Sequence, residues 1–162
     1  MESTFTDPRD GKTYKLVKIG KQVWMAENLA YSNYADFVKN VNSAGCMYNW
    51  EDAMLVCPEG WHLPTNEEWQ ELVDFCGGFF HAGKVLKDNK GFSALLAGYG
   101  HTGYGTKATT LTYENVIGQW WTATAANCNC AVARSMSSTV DYVYSANYDR
   151  HFANSVRCVK DN

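Results

Sequence analysis

Residues 57–78 read CPEGWHLPTNEEWQELVDFCGG, from Cys57 to Gly78, and carry several structural instructions in close succession. Pro58 cannot continue a helix arriving from Asn49, so that helix ends at Cys57. Pro64 holds Leu63 out of the α region, which makes Trp61-His62-Leu63 a short extended segment. Thr65-Asn66-Glu67-Glu68 has the S/T-x-x-E form of a capping box, in which the Thr65 hydroxyl and the Glu68 carboxylate each satisfy a free backbone donor. The helix that starts there places Trp69, Leu72, Val73 and Cys76 on one side, at i, i+3, i+4 and i+7, and Gly77-Gly78 stops it. The stretch therefore predicts helix, cysteine, strand, helix.

Upstream, Asn49 caps a helix whose apolar positions Trp50, Ala53, Met54 and Cys57 fall at the same spacing. Residues 27–45, from Glu27 to Gly45, are broken in pattern and rich in Asn, Ser and Ala, and read as a long surface connection. Phe5 to Met25 reads as strands: Asp10-Gly11 marks a turn, Tyr14, Leu16 and Lys18 alternate with Val17 and Ile19, and Gly20-Lys21 fits a hairpin turn. Downstream of Gly78, glycines at 83, 91, 98, 100, 103, 105 and 118 break every long helix. Phe92 to Leu95 is a short apolar segment ahead of a Gly/Tyr-rich loop through Gly105. Gln119–Thr124, Ala131–Met136 and Ser155–Val159 read as strands. The expected organisation is a tail, residues 1–4, and one α+β domain, residues 5–162, whose ends meet in one sheet.

The chain has 162 residues, 46% of them apolar, enough for one substantial core. A net charge of −3 without a Lys/Arg run argues against nucleic acid or an anionic membrane surface as partner. No apolar stretch approaches the ~20 residues of a membrane span, and Met1-Glu2-Ser3-Thr4 has no signal-peptide character, so export would need a leader absent from this sequence. The six cysteines leave pairing open; a buried thiol is the plain reading for Cys46 and Cys76. In an extended segment Cys128 and Cys130 sit about 6 to 7 Å apart on one face, too far for an easy bridge, and no second Cys/His pair makes them a metal clip.

The motifs DGKTYK (Asp10–Lys15), IGKQVWMAENL (Ile19–Leu29), CPEGWHLPTNEEWQELV (Cys57–Val73), GFSAL (Gly91–Leu95) and SVRCVKD (Ser155–Asp161) occur in one order over nearly the whole chain. In this the chain resembles the Fibrobacter succinogenes major paralogous domain family. Such domains are similar to the C-type lectin fold, in the branch that includes formylglycine-generating enzymes. The resemblance implies two helices flanking a looped, twisted antiparallel sheet, with the N- and C-terminal strands paired. It also implies a disulfide from the cysteine that ends the first helix to the one in the last strand, here Cys57 to Cys158, worth at most ~4.7 kcal/mol in the chain-entropy model. Leu96 and Gly100 depart from the family pattern, which has proline and arginine at those places. The Glu-Pro-Asn and Trp-Asn-Asp calcium motifs of sugar-binding C-type lectins are absent, with Trp120-Trp121-Thr122 nearest the second, so calcium-dependent sugar binding is not expected.

From Thr122 to Asn154 there is no Glu, Gln, Lys or Trp, and every residue except Met136 is reachable by changing only the adenines of an Asn codon. That composition resembles the variable region of a diversity-generating retroelement target protein. The alternative is a Tyr/Ser-rich polar region tolerant of change. Either way it suits recognition, since tyrosines offer large contacts at low rotamer cost and Ser, Asn and Thr adaptable hydrogen bonds. The candidate ligand-binding residues are Asn127, Asn129, Ala133, Ser135, Ser137, Tyr142, Tyr144, Asn147, Tyr148, His151 and Asn154. Ala133, Ser135, Ser137, Tyr142, Tyr144, Tyr148 and His151 are expected to face outward as one patch while Met136, Val143 and Val156 face inward. Arg134, Arg150 and Arg157 read as scaffold anchors to backbone carbonyls.

Catalysis finds little in the sequence. His62 reads as a satisfied core or edge histidine, and His81, His101 and His151 sit in loops with no nearby acid to orient them. Glu67 and Glu68 are explained by the helix start. The expectation is a non-enzymatic ligand- or receptor-binding module, without cofactor or metal, displayed extracellularly or on a cell surface, or on a phage tip, to a protein or glycan. The alternatives are a structural surface domain without a variable site, or a copper/thiol oxidase of the formylglycine-generating type using Cys128 and Cys130.

Overall fold

The computed structural model describes residues 3–35, 37–39, 45–101 and 110–162, the side chains of 37–39 and 101 excepted. His101's side chain, residues 102–109 of the Gly/Tyr-rich loop and Met1-Glu2 of the tail therefore lie outside the described residues. Chain order is β1 (Thr4–Thr6), β2 (Thr13–Ile19), β3 (Gln22–Met25), β4 (Phe37–Lys39), β5 (Gly45–Met47), α1 (Trp50–Val56), β6 (Trp61–His62), α2 (Asn66–Phe75), α3 (Ala82–Lys87), β7 (Tyr99–His101), β8 (Thr110–Thr112), β9 (Ile117–Ala125), β10 (Cys130–Ser137), β11 (Tyr144–Asp149) and β12 (Val159–Lys160).

Both helices of the opening motif form for the reasons read from sequence. Thr65 Oγ1 accepts from Glu68 N at 3.1 Å while the Glu68 carboxylate accepts from Thr65 N at 3.0 Å, closing the capping box. Trp69, Leu72, Val73 and Cys76 are all buried, and Gly78 N donates to Val73 O at 2.9 Å to end the helix. Asn49 caps α1, donated to by Asp52 N. There the expected apolar face holds at Trp50, Ala53 and Cys57, which pack into the core, but Met54 is exposed and Val56 is buried in its stead.

The main sheet runs β1-β2-β3-β12-β6, all antiparallel, with Val159 opposite both Trp24 and His62. The chain ends do meet in one sheet, but the last strand pairs with β3, not with the first strand. β1 is an edge, and Thr4, expected in the tail, pairs there with Lys15. A second sheet, β11-β10-β9, meets the segment that leads into β12 through a parallel bridge from Trp120 to Ser155. Consecutive strand residues point to opposite faces. Met25, Trp121 and Cys158 enter one core cluster with Tyr14, Leu29 and Val56, and Trp24, Trp120 and Val159 enter the other with Trp69, Leu72 and Phe92. In the second cluster Trp69 meets Trp24, Phe92 and Trp120 at ring-centroid distances of 5.3, 5.6 and 6.0 Å. Cys57 and Cys158 are bonded across a sequence separation of 101, tying the end of α1 to the threshold of β12.

Other expectations needed correction. Residues 27–45 are not simply a surface connection: Asn28 and Leu29 are buried, and β4 pairs with β5. Arg157, fully buried, is the reason. Its guanidinium donates to Asn28 Oδ1 at 3.0 Å and to the carbonyls of Met25, Phe92 and Ser93, lies over the Phe92 ring at 4.3 Å, and is pushed down to about 9 by burial. Asn28 Oδ1 also accepts from Trp120 Nε1 at 2.9 Å, so the connection dips inward to serve two buried donors. Helix α3, β7 and β8 are not expected from the sequence, where Gly83, Gly98 and Gly100 read as breakers, and β11 lies in the region read only as a polar recognition segment. Gly83 instead lies inside α3, where its N–H donates to Asp141 O at 2.8 Å.

Candidate functional site

The β10–β11 connection is held against α3. An alanine Cβ at Gly83 would lie 2.5 Å from Asp141 O, so only glycine permits this approach of two backbones. Lys87 Nζ donates to Ser137 O at 2.6 Å and to Val140 O at 2.7 Å, and Val143 N donates to Phe79 O at 3.2 Å. Tyr142 and Tyr144 are thereby set beside Phe79 and Phe80, which the α2–α3 turn supplies. Phe79 lies 4.9 Å from Phe80, 5.3 Å from Tyr142 and 5.7 Å from Tyr144, and the two tyrosines are 5.9 Å apart, mostly edge to face. Phe79, Phe80 and Tyr144 remain 41%, 62% and 40% exposed. Sequence reasoning missed both phenylalanines; their only signal was two bulky apolar residues directly after a double-glycine stop.

The expected outward residues do not form one patch. Ala133 and Asn154 are buried and leave the candidate set. Ala133 fails because β10 is the middle strand of its sheet, opposite Ala146 on one side and Trp121 on the other, with both faces covered. Asn154 fails because it is framework: Gln119 Nε2 donates to its Oδ1 at 2.9 Å, and its backbone bridges Tyr48. Met136, Val143 and Val156 do face inward. Ser135, Ser137 and Tyr148 are half-buried, and Tyr148 hydrogen-bonds Ser135. Asn147 is exposed on β11.

Asn127, Asn129 and His151 gather at the opposite end of β11 from Tyr144. Asn127 is exposed, but its Oδ1 accepts from Asn129 N at 2.8 Å and Cys130 N at 2.9 Å, which makes it a turn-former. Cys128, Asn129, Arg150 and His151 line a cavity of about 150 Å³ with Asn49 and Glu51. Contrary to expectation, His151 has an orienting acid, Asp149 Oδ1 at 2.8 Å from Nδ1. His81 stands at the start of α3 without a side-chain bond to it.

Arg150 and Arg157 anchor backbone carbonyls as expected, whereas Arg134 bonds chiefly to side-chain oxygens. Arg150 donates to the Asn127 and Cys130 carbonyls and lies 4.3 Å over Trp50. Arg134 reaches Asn66 and Gln70 on α2, and burial pushes it down against the pull of Asp74 and Glu67. His62 links the last residues to α2, with Nδ1 2.5 Å from Asp161 and Nε2 2.9 Å from Glu68; burial opposes its charge, but the two carboxylates outweigh it and raise its pKa. Among the described residues no three His, Cys, Asp or Glu side chains gather as ligands for a metal; Cys128 is exposed and Cys130 half-buried, both with free thiols. Among the same residues no helix is long and apolar enough to cross a membrane.

A family model described as the Fibrobacter succinogenes major domain matches residues 17–160. No curated protein and no solved structure matches the chain.

Proposed function

The chain belongs to the Fibrobacter succinogenes major domain family, and from that premise we propose a non-catalytic recognition module, a C-type-lectin-like domain that presents its C-terminal third to a macromolecular partner. The observation that carries this reading is the cluster of Phe79, Phe80, Tyr142 and Tyr144. Folding gains little from rings left in water, whereas a partner that covers them recovers their apolar area. Tyrosine is the residue type that dominates such contacts. The clamp of Gly83 and Lys87 on the loop means that little ordering entropy is lost on binding.

The lectin-like reading draws on the Cys57–Cys158 link and on the entry of β12 between β3 and β6. Display outside the cell, or on a phage tip, draws on the same disulfide. Diversification of Thr122 to Asn154 draws on composition alone, and it would fall most cheaply on exposed Asn129, Tyr144, Asn147 and His151 while buried Ala133, Arg134 and Asn154 stay as framework.

The test is binding of the tagged domain to whole cells and to a protein and glycan array. Binding lost in the Phe80→Ser/Tyr144→Ser variant is the expected result. A binding signal that this variant leaves intact removes the site from the reading.

A further inference from the structure

The β11-β10-β9 sheet has one covered edge and one open edge. Along β9, Gly98 and Ser155 bridge to Gly118 and Trp120, and Ala123 N donates to Pro64 O at 2.8 Å. Along β11, Tyr144, Ser145, Ala146 and Asn147 are all exposed, and among the described residues no backbone group of Tyr144–Tyr148 bonds to anything beyond β10. Every second residue of an antiparallel strand turns its N–H and C=O away from its partner, so this edge offers a row of backbone donors and acceptors to solvent. Folded proteins guard such edges with lysine, proline or a bulge. Tyr144-Ser145-Ala146-Asn147-Tyr148 contains no charge and no proline. Its register on β10 runs unbroken from Asp149 opposite Cys130 to Tyr144 opposite Ser135, and the bulge of this sheet lies on the β9 side instead. The first charge along the strand is Asp149, which is engaged with His151.

We infer that β11 pairs antiparallel with β11 of a second copy of this chain, about a two-fold axis at Ala146. The strand is complementary to itself in that register. Tyr144 stands opposite Tyr148, Ser145 opposite Asn147, and Ala146 opposite Ala146, whose small side chain leaves room on the axis. No like charges meet, and a tyrosine pair closes each end. Both halves of the contact are thus present in one sequence, whereas a foreign strand would have to bring its own match. The axis is normal to the sheet, so the three-stranded sheets of the two copies join into one, with both Phe79–Tyr144 clusters on the same side. One consequence rests on the reading of that cluster as a recognition site: the dimer would engage a repetitive surface through two sites at once.

The experiment is sedimentation equilibrium of the purified chain without ligand, over a range of concentrations, after alkylation of the exposed Cys128 thiol to prevent a disulfide between copies. Pairing through one short strand makes a small interface, so wild-type protein is expected to dimerise reversibly, with a Kd below about 1 mM. Ala146→Lys and Ala146→Glu each set like charges opposite one another on the axis and should each weaken the dimer by about tenfold or more. An equimolar mixture of the two should associate more tightly than either alone, as a contact centred on Ala146 requires. Phe80→Ser should dimerise as wild type does. Melting temperature establishes that each variant folds. If either Ala146 variant does not, Ser145→Lys/Asn147→Lys and Ser145→Glu/Asn147→Glu, which the same register places opposite each other, replace the pair. A wild type that stays monomeric overturns the proposal, as does dimerisation that both Ala146 variants leave unchanged, a mixture no tighter than its components, or dimerisation that Phe80→Ser abolishes. No partner is present in this measurement, so the strand pairing and the Phe79–Tyr144 site fail independently.

Discussion

Gly83→Ala sets two effects of opposite sign against each other. Alanine is the better helix former by about 1 kcal/mol, so an exposed helical glycine would be stabilised by the change. At Gly83 the new Cβ would stand 2.5 Å from Asp141 O and 2.7 Å from its carbonyl carbon, and both are backbone atoms that no rotamer change can move. Reaching ordinary contact at 3.4 Å requires α3 and the β10–β11 loop to separate by about 0.9 Å, 3.4 minus 2.5. That stretches the 2.8 Å bond from Gly83 N to Asp141 O past hydrogen-bonding distance. Losing it costs about 1 kcal/mol, and forcing a packed contact apart costs about 1–3 kcal/mol. Set against the helix gain, the net loss is about 1–3 kcal/mol, a fall in melting temperature of about 2 to 12 °C for a domain of this size. Thermal unfolding of both proteins decides the sign, and near-ultraviolet circular dichroism reports whether Tyr142 has left the Phe79 ring. A melting temperature that rises would refute the docking of the loop on α3.

Replacing Cys57 and Cys158 together by serine should cost about 2–5 kcal/mol in urea unfolding, and non-reducing peptide maps of the wild type should contain the joined Cys57 and Cys158 peptides; two free thiols in protein made under oxidising conditions would contradict this. His62 has a folded pKa above its ordinary value, so the stability it contributes is complete below about pH 6.5 and is lost as pH rises through the folded pKa. His62→Gln should flatten that part of the stability profile, modestly because the ring is 38% exposed, and an unchanged slope would show that the carboxylate contacts do not hold in solution. Arg157→Met leaves Asn28 Oδ1 and the Met25 and Phe92 carbonyls short of a buried donor and should cost about 3 kcal/mol or more, read as a lower urea midpoint at unchanged slope.

Local chemistry made the front half legible. Pro58, Pro64, the Thr65–Glu68 box and Gly77-Gly78 each act within a few residues, so the helix–strand–helix order follows from sequence. The hairpin of β2 and β3 was legible for the same reason. What escaped depended on distant partners. Asn28 is buried by Arg157, far along the chain, and nothing near Asn28 announces it. Gly83 reads as a breaker until Asp141 is seen against it. The outward set assumed one solvated face for β10, and Ala133 shows the cost of that assumption, since a central strand packed on both sides keeps its alternation but loses its exposed face. Tyr142 and Tyr144 were found by composition, whereas Phe79 and Phe80 join them only through the fold.

The central claim is that folding and recognition reside in different rings of this domain. The most direct measurement is the melting temperature of Phe80→Ser/Tyr144→Ser beside that of Trp69→Ala, with binding to whole cells recorded for the double variant. Trp69 is fully buried among Trp24, Phe92 and Trp120, and its truncation should cost about 3–5 kcal/mol. The double variant changes exposed rings, so its stability should stay within about 1 kcal/mol of wild type while binding is lost. A loss of stability comparable to that of Trp69→Ala would mean that the exposed rings are framework, and the account would lose its recognition site.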